Sequence, residues 1–146
     1  MAFRFALAAV LKYRENLEQR EYLALEKTQQ GIVQTKIVLH QCEERRSAAT
    51  RRREADLRRG VTSVHLQAAY EEETALEEQG EKLRAQLRQL QVQRENCLKA
   101  YELARRNREL LDKLRMRQLD AYRRAQAKRE QATLDDVFLS RRRRGR

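Results

Sequence analysis

The residues that could carry chemistry are few. They are two histidines, His40 and His65, two cysteines, Cys42 and Cys97, a carboxylate cluster at Glu71-Glu72-Glu73 and Glu77-Glu78, and several runs of arginine. Metal binding would need three or four of the first group to converge. His40 and Cys42 are two residues apart, which on a helix points them to nearly opposite faces. His65 stands alone, and Cys97 is remote from Cys42. The preferred reading of both cysteines is as small apolar core residues and free thiols. The carboxylates read as a solvated helical face, because a two-helix scaffold offers no pocket to enclose them. The four glycines are isolated, so nothing resembles a phosphate-binding loop. No Ser/His/Asp arrangement has a scaffold to hold it. The sequence predicts no enzyme, no metal and no cofactor.

Arginine is the remaining chemical signal. Arg45-Arg46, Arg51-Arg52-Arg53 and Arg141 to Arg144 could track a phosphate backbone by releasing counterions. No stacking platform of aromatics and no basic-region-plus-zipper layout accompanies them, so no specific nucleic-acid ligand is expected. A basic nucleic-acid-binding coiled coil is kept as a lesser alternative.

The elements that must position these groups are helices. The chain of 146 residues has no proline, no tryptophan and 5% aromatics, while charged residues make up 38%. Such composition suits long helices and coiled coils rather than a thick globular core. Periodic leucines argue against disorder over most of the length. No apolar run approaches the roughly 18 residues of a membrane span. The apolar stretch from Phe3 to Leu11 lacks the basic segment that precedes a signal peptide, so a cytoplasmic protein is expected.

Arg58-Arg59-Gly60-Val61-Thr62-Ser63 interrupts the helical pattern. Gly60 can take the left-handed conformation that ends a helix, and Thr62 or Ser63 can cap the next. Before the break, Leu25, Ile32 and Leu39 recur every seven residues, with Thr28, Thr35 and Cys42 at the intervening positions. After it, Leu76, Leu83, Leu90, Cys97, Ala104 and Leu111 repeat at seven. Folding back at residues 61–62 would bring Leu39 to Leu83, Ile32 to Leu90, Leu25 to Leu98 and Leu11 to Leu111. It would also set Arg51-Arg52-Arg53 across from the acidic stretch, where exposed pairs contribute about 0–1 kcal/mol each but disfavour wrong registers. A continuous rod would waste this complementarity and would need a second chain.

The expected fold is therefore all-α: a long antiparallel two-helix coiled-coil hairpin with an overhanging C-terminal helix and a basic disordered tail. It is read as a single coiled-coil domain over 1–146. Helix one covers about 4–59, the turn 60–63, helix two about 64–139 and the tail 140–146. At 1.5 Å per residue the arms would be roughly 80 Å and more than about 100 Å long, with helix two overhanging by about 25 residues. A monomer is expected.

The opening Phe3-x-Phe5-x-Leu7-x-x-Val10-Leu11-x-x-Arg14, followed by Glu18, and the closing Glu130-x-x-x-Leu134-Asp135-Asp136 resemble the bacterial flagellar export protein family FliJ. Glutamate is usual in that family where Asp136 stands here. The resemblance spans the whole chain. It implies an antiparallel coiled coil similar in shape to the central stalk of rotary ATPases, without catalytic activity, acting in flagellar type III export and hence in flagellum biogenesis and motility. The implied partners are the hexameric export ATPase, the membrane-embedded export gate and the chaperones of exported subunits, which the protein would escort and recycle. The implied location is the cytoplasm, peripheral to the inner membrane at the flagellar base. By analogy with a rotary stalk, Phe3, Phe5, Leu7, Leu11, Leu134, Val137 and Phe138 are assigned to the ATPase ring, and Tyr70 and Thr74 to the export gate. The plainer readings are a half-buried seam tyrosine for Tyr70 and a tail anchor for Phe138. The corresponding stalk of a virulence secretion system is the nearest alternative.

Overall fold

The computed structural model describes residues 2–145. It consists of two helices, α1 (Ala8–Arg59) and α2 (Ser63–Arg144), packed against each other as a helical hairpin. Gly60 has φ of 81°, the left-handed conformation in which a helix ends and the chain turns. Thr62 begins the second helix as its cap. Its Oγ1 accepts a hydrogen bond from the backbone N–H of His65 at 3.3 Å, and its carbonyl receives the N–H of Leu66.

Two boundaries differ from the sequence expectation. α1 begins at Ala8, because Phe3 to Phe5 are spent on a non-helical lead-in. The N–H of Ala8 donates to the carbonyl of Phe5, and that turn puts the Phe5 side chain into the interior at 8% exposure. At the other end the expected disordered tail is corrected: α2 continues through Arg144. Arginine is a good helix former, the residues extend an existing helix at no nucleation cost, and cations suit the negative end of the helix dipole. Gly145 is in the closing turn, and Arg146 lies outside the described residues.

The chain divides into two compact units. The unit of Glu21–Tyr101 contains the turn. Its buried positions are Thr28, Ile32, Thr35, Cys42, Ala49 and Gly80, with Leu25, Leu39, Leu76, Leu83, Leu87 and Leu90 half-buried around them. This is the heptad seam. The threonines satisfy their hydroxyls within their own helix, Thr28 on the carbonyl of Ala24 and Thr35 on that of Gly31. Cys42 donates its thiol across the seam to the carbonyl of Leu76 at 3.3 Å. Cys97 sits 3.8 Å from the Thr28 hydroxyl, so the seam partner of that layer is Cys97 and its neighbour Leu98 is 39% exposed. Tyr22 and Tyr101 pack with centroids 5.7 Å apart, close to the anticipated register.

The unit of Met1–Arg20 and Glu102–Arg146 contains both termini. Phe5, Leu11 and Ala104 are its buried residues, and Leu17, Leu111, Leu114, Leu119 and Tyr122 are half-buried. The Phe3 ring meets Tyr122 at 5.6 Å, which carries the packing of α2 past the first residue of α1. From Arg123 onward every described residue is exposed. Both units are thin. Among the described residues no large side chain is completely buried, as expected of a seam between only two helices.

Candidate functional site

Two surfaces carry the residues singled out in the sequence. The first lies in the unit with the turn. Tyr70 is 48% exposed and its ring is covered on one side by Arg53, whose Cζ stands 4.6 Å from the ring centroid. Arg53 is fixed in turn by Glu73, with Nε 3.2 Å from Oε1 and both side chains less than one-fifth exposed. The two atoms are misaligned for a hydrogen bond, so the contact is a mostly buried ion pair. Thr74 completes the group by donating its hydroxyl to the carbonyl of Tyr70 at 2.9 Å. Tyr70 is thus an aromatic held by Arg53 and left about half exposed to solvent.

Around it the arginine and glutamate blocks interlock as anticipated. Arg52 pairs with Glu72, Arg46 with Glu77, and Arg84 with Glu43. His65 pairs with Asp56 across the turn at 3.1 Å, and His40 with Glu44 one helical turn on. The histidines are therefore engaged singly, each with one carboxylate. Among the described residues no three His, Cys, Asp or Glu side chains gather into a metal-binding group.

The second surface lies in the unit with the termini. Phe5 and Leu11 are interior, and Phe3 is half-buried against Tyr122. These three therefore build the end of the hairpin from inside. Leu7 at 38%, Leu134 at 69%, Val137 at 43% and Phe138 at 67% are open to solvent. Leu134, Val137 and Phe138 follow i, i+3, i+4 spacing and share one face of α2. Phe138 is therefore no tail anchor in this structure. An open depression runs along the preceding turns, lined by Tyr122, Ala125, Arg129, Thr133 and Leu134 among others, all on α2.

Sequence reasoning missed Arg108. It falls four residues after Ala104, at the seam position that alternates with the repeat of Cys97, Ala104 and Leu111, and its guanidinium reaches both Glu18 of α1 and Asp112 of α2. Hydrogen bonds to Glu18 first and Asp112 second raise its pKa above the ordinary arginine value. Arg105, three residues away, pairs with Glu109 instead. The available signal was an arginine at a seam position with an acid at i+4, whereas Glu18 lies about one helical turn beyond the residue that the fold-back register sets opposite it.

A hairpin held by a seam and cross-helix ion pairs, with apolar side chains exposed on open helical faces, is a helical coiled-coil protein. The family model of the flagellar FliJ protein matches residues 3–146, and the chain belongs to that family. The family places it among flagellar export-related stalk proteins. No curated protein and no solved structure matches the chain. No helix among the described residues is long and apolar enough to cross a membrane.

Proposed function

We propose that this chain is the non-catalytic stalk of the flagellar type III export apparatus, working as a monomer at the cytoplasmic side of the inner membrane. It binds the hexameric export ATPase, contacts the export gate and escorts export chaperones back to use. The family match across residues 3–146 carries this reading. The open faces support the two contact assignments. Leu7, Leu134, Val137 and Phe138 are the side chains for the ATPase ring, with Phe3, Phe5 and Leu11 shaping the end that bears them. Tyr70, held by Arg53 and Glu73, is the contact for the gate, and Thr74 fixes the backbone beneath it.

Purified chain titrated into the cognate export ATPase should raise its hydrolysis. A Leu134→Ser/Val137→Ser/Phe138→Ser variant should need at least about tenfold more protein for half the effect, the loss expected when anchors worth about 1.4 kcal/mol or more are removed. Stimulation by the variant equal to that of the parent would move the ring contact elsewhere. An ATPase that ignores the parent chain, together with full motility of a deletion strain, would overturn the function.

A further inference from the structure

The last three turns of α2 combine apolar and cationic groups that are exposed to solvent. Leu134, Val137 and Phe138 are exposed on one face, and Arg141 continues that face at i+7. Asp135 and Asp136 are rotated off it by the helical period. Arg142, Arg143 and Arg144 follow directly, so four successive guanidinium groups step around the helix end. From Arg123 to Gly145 the sequence carries eight basic and three acidic side chains. The side-chain hydrogen bonds of this stretch are local: Gln126 to Glu130, Thr133 to the carbonyl of Arg129, and Ser140 to that of Val137. Among the described residues, no ion pair engages Arg141 to Arg144.

We propose that this end of α2 is an anchor for anionic lipid headgroups, with Leu134, Val137 and Phe138 entering the interface and Arg141 to Arg144 binding the phosphates. A basic helix end with an apolar face is the arrangement that lies in a headgroup layer without crossing it. The distribution of the arginines selects this occupant. A protein groove reads one helical face, whereas four consecutive arginines cover most of the circumference at 100° steps. A plane of anionic charge can be reached by all of them, because their long stems bend toward it. A second copy of the chain would bring two strongly basic ends together and is disfavoured by charge. The anchor goes beyond the stalk reading and does not depend on it. Since both use Leu134, Val137 and Phe138, lipid and ATPase ring would compete for the same face.

The test is co-sedimentation of the full chain with vesicles of phosphatidylcholine alone or with about one-third phosphatidylglycerol, in about 0.15 M salt. Two variants are compared. One carries Arg141→Gln, Arg142→Gln, Arg143→Gln and Arg144→Gln, and the other Leu134→Ser, Val137→Ser and Phe138→Ser. All these positions are exposed, and far-UV circular dichroism checks that both variants keep their helices. The parent should bind anionic vesicles and ignore neutral ones, and each variant should bind at least about tenfold more weakly. No binding by the parent overturns the anchor. Unchanged binding by the glutamine variant puts the charge contact elsewhere on this basic chain, and unchanged binding by the serine variant reduces it to surface adsorption; either result refutes it. A parent that ignores both vesicle types, but whose ATPase stimulation is lost in both variants, places an acidic protein groove there instead.

Discussion

Arg108 donates from Nε and Nη2 to the two carboxylate oxygens of Glu18, 90 residues earlier in the chain, while its Nη1 holds Asp112 on its own helix. This fork ties α1 to α2 in a layer where the seam has an arginine instead of a leucine. Both side chains of the cross-helix pair are about one-quarter exposed or less. Removing the guanidinium would leave Glu18 with its charge partly desolvated and no partner. Arg108→Gln should cost about 1–2 kcal/mol, the range for hydrogen bonds to charged groups after allowing for solvent. A double-mutant cycle with Glu18→Gln should return a coupling of about 1 kcal/mol, and additive effects would show that the fork does not hold the helices.

The direction of the Arg108 shift has a consequence for pH. A group whose folded pKa is raised contributes its stability in full below its unfolded pKa and loses it only as pH rises through the folded value. For Arg108 both lie above the range in which proteins are ordinarily handled. The stability difference between the parent and Arg108→Gln should therefore be flat between about pH 6 and pH 9. A difference that shrinks across that interval in urea melts would mean that another group controls the contact.

Much of the hairpin was legible in the chain because its signals are local. The leucines at sevens mark a seam, and Gly60 followed by Thr62 and Ser63 marks a reversal. Two of the missing parts depend on partners far away in sequence. Whether Phe3 to Phe5 join the helix or lie across it depends on Tyr122 being present to receive Phe3. A run of arginines reads as a disordered tail, but Arg141 to Arg144 inherit helical geometry from the turn before them. The pinning of Tyr70 was hidden, like the placement of Phe3, by a dependence on residues distant in the chain. It requires Arg53 and Glu73 to arrive at one level from opposite sides of the turn.

That pinning can be measured. Arg53→Gln removes a cation from the face of Tyr70 and strands Glu73, whose side chain is 16% exposed. Breaking a mostly buried pair from one side costs about 3–5 kcal/mol when burial is complete, so about 2 kcal/mol is expected here. Glu73→Gln keeps a polar partner and should cost less. Adding Glu73→Leu to the Arg53→Gln variant should recover stability, since the uncompensated charge is then gone. If the double variant is no more stable than Arg53→Gln, the pair is not the source of the loss.

The thiols give an independent check on the register. Cys42 is buried at 4% exposure against the carbonyl of Leu76, while Cys97 is half-buried beside Thr28. The two therefore lie in different layers of the seam, and no disulfide links them. Under native conditions a thiol reagent should modify Cys97 first and Cys42 only on opening of the helices, a difference in rate of at least about tenfold for sites separated by about 1.4 kcal/mol of opening free energy. Melting with and without reductant should coincide. Equal rates for the two thiols would contradict the layer that places Cys42 inside.

Gly60 carries the sharpest test of the fold. Its φ of 81° is disfavoured for residues with a side chain, yet a Cβ built there meets no atom within 4 Å. The cost of Gly60→Ala is then conformational alone, about 1–2 kcal/mol. Asparagine, which tolerates left-handed geometry, should recover about half of it. Replacing Gly60, Val61, Thr62 and Ser63 together by alanine goes further, since it also removes the Thr62 cap on His65 and makes the segment a strong helix former. That variant should shift toward a dimer of continuous helices, seen by light scattering as a doubling of mass and by small-angle X-ray scattering as a longer particle. If it remains a monomer with the scattering profile of the parent, the seam alone enforces the reversal and the turn residues merely accommodate it.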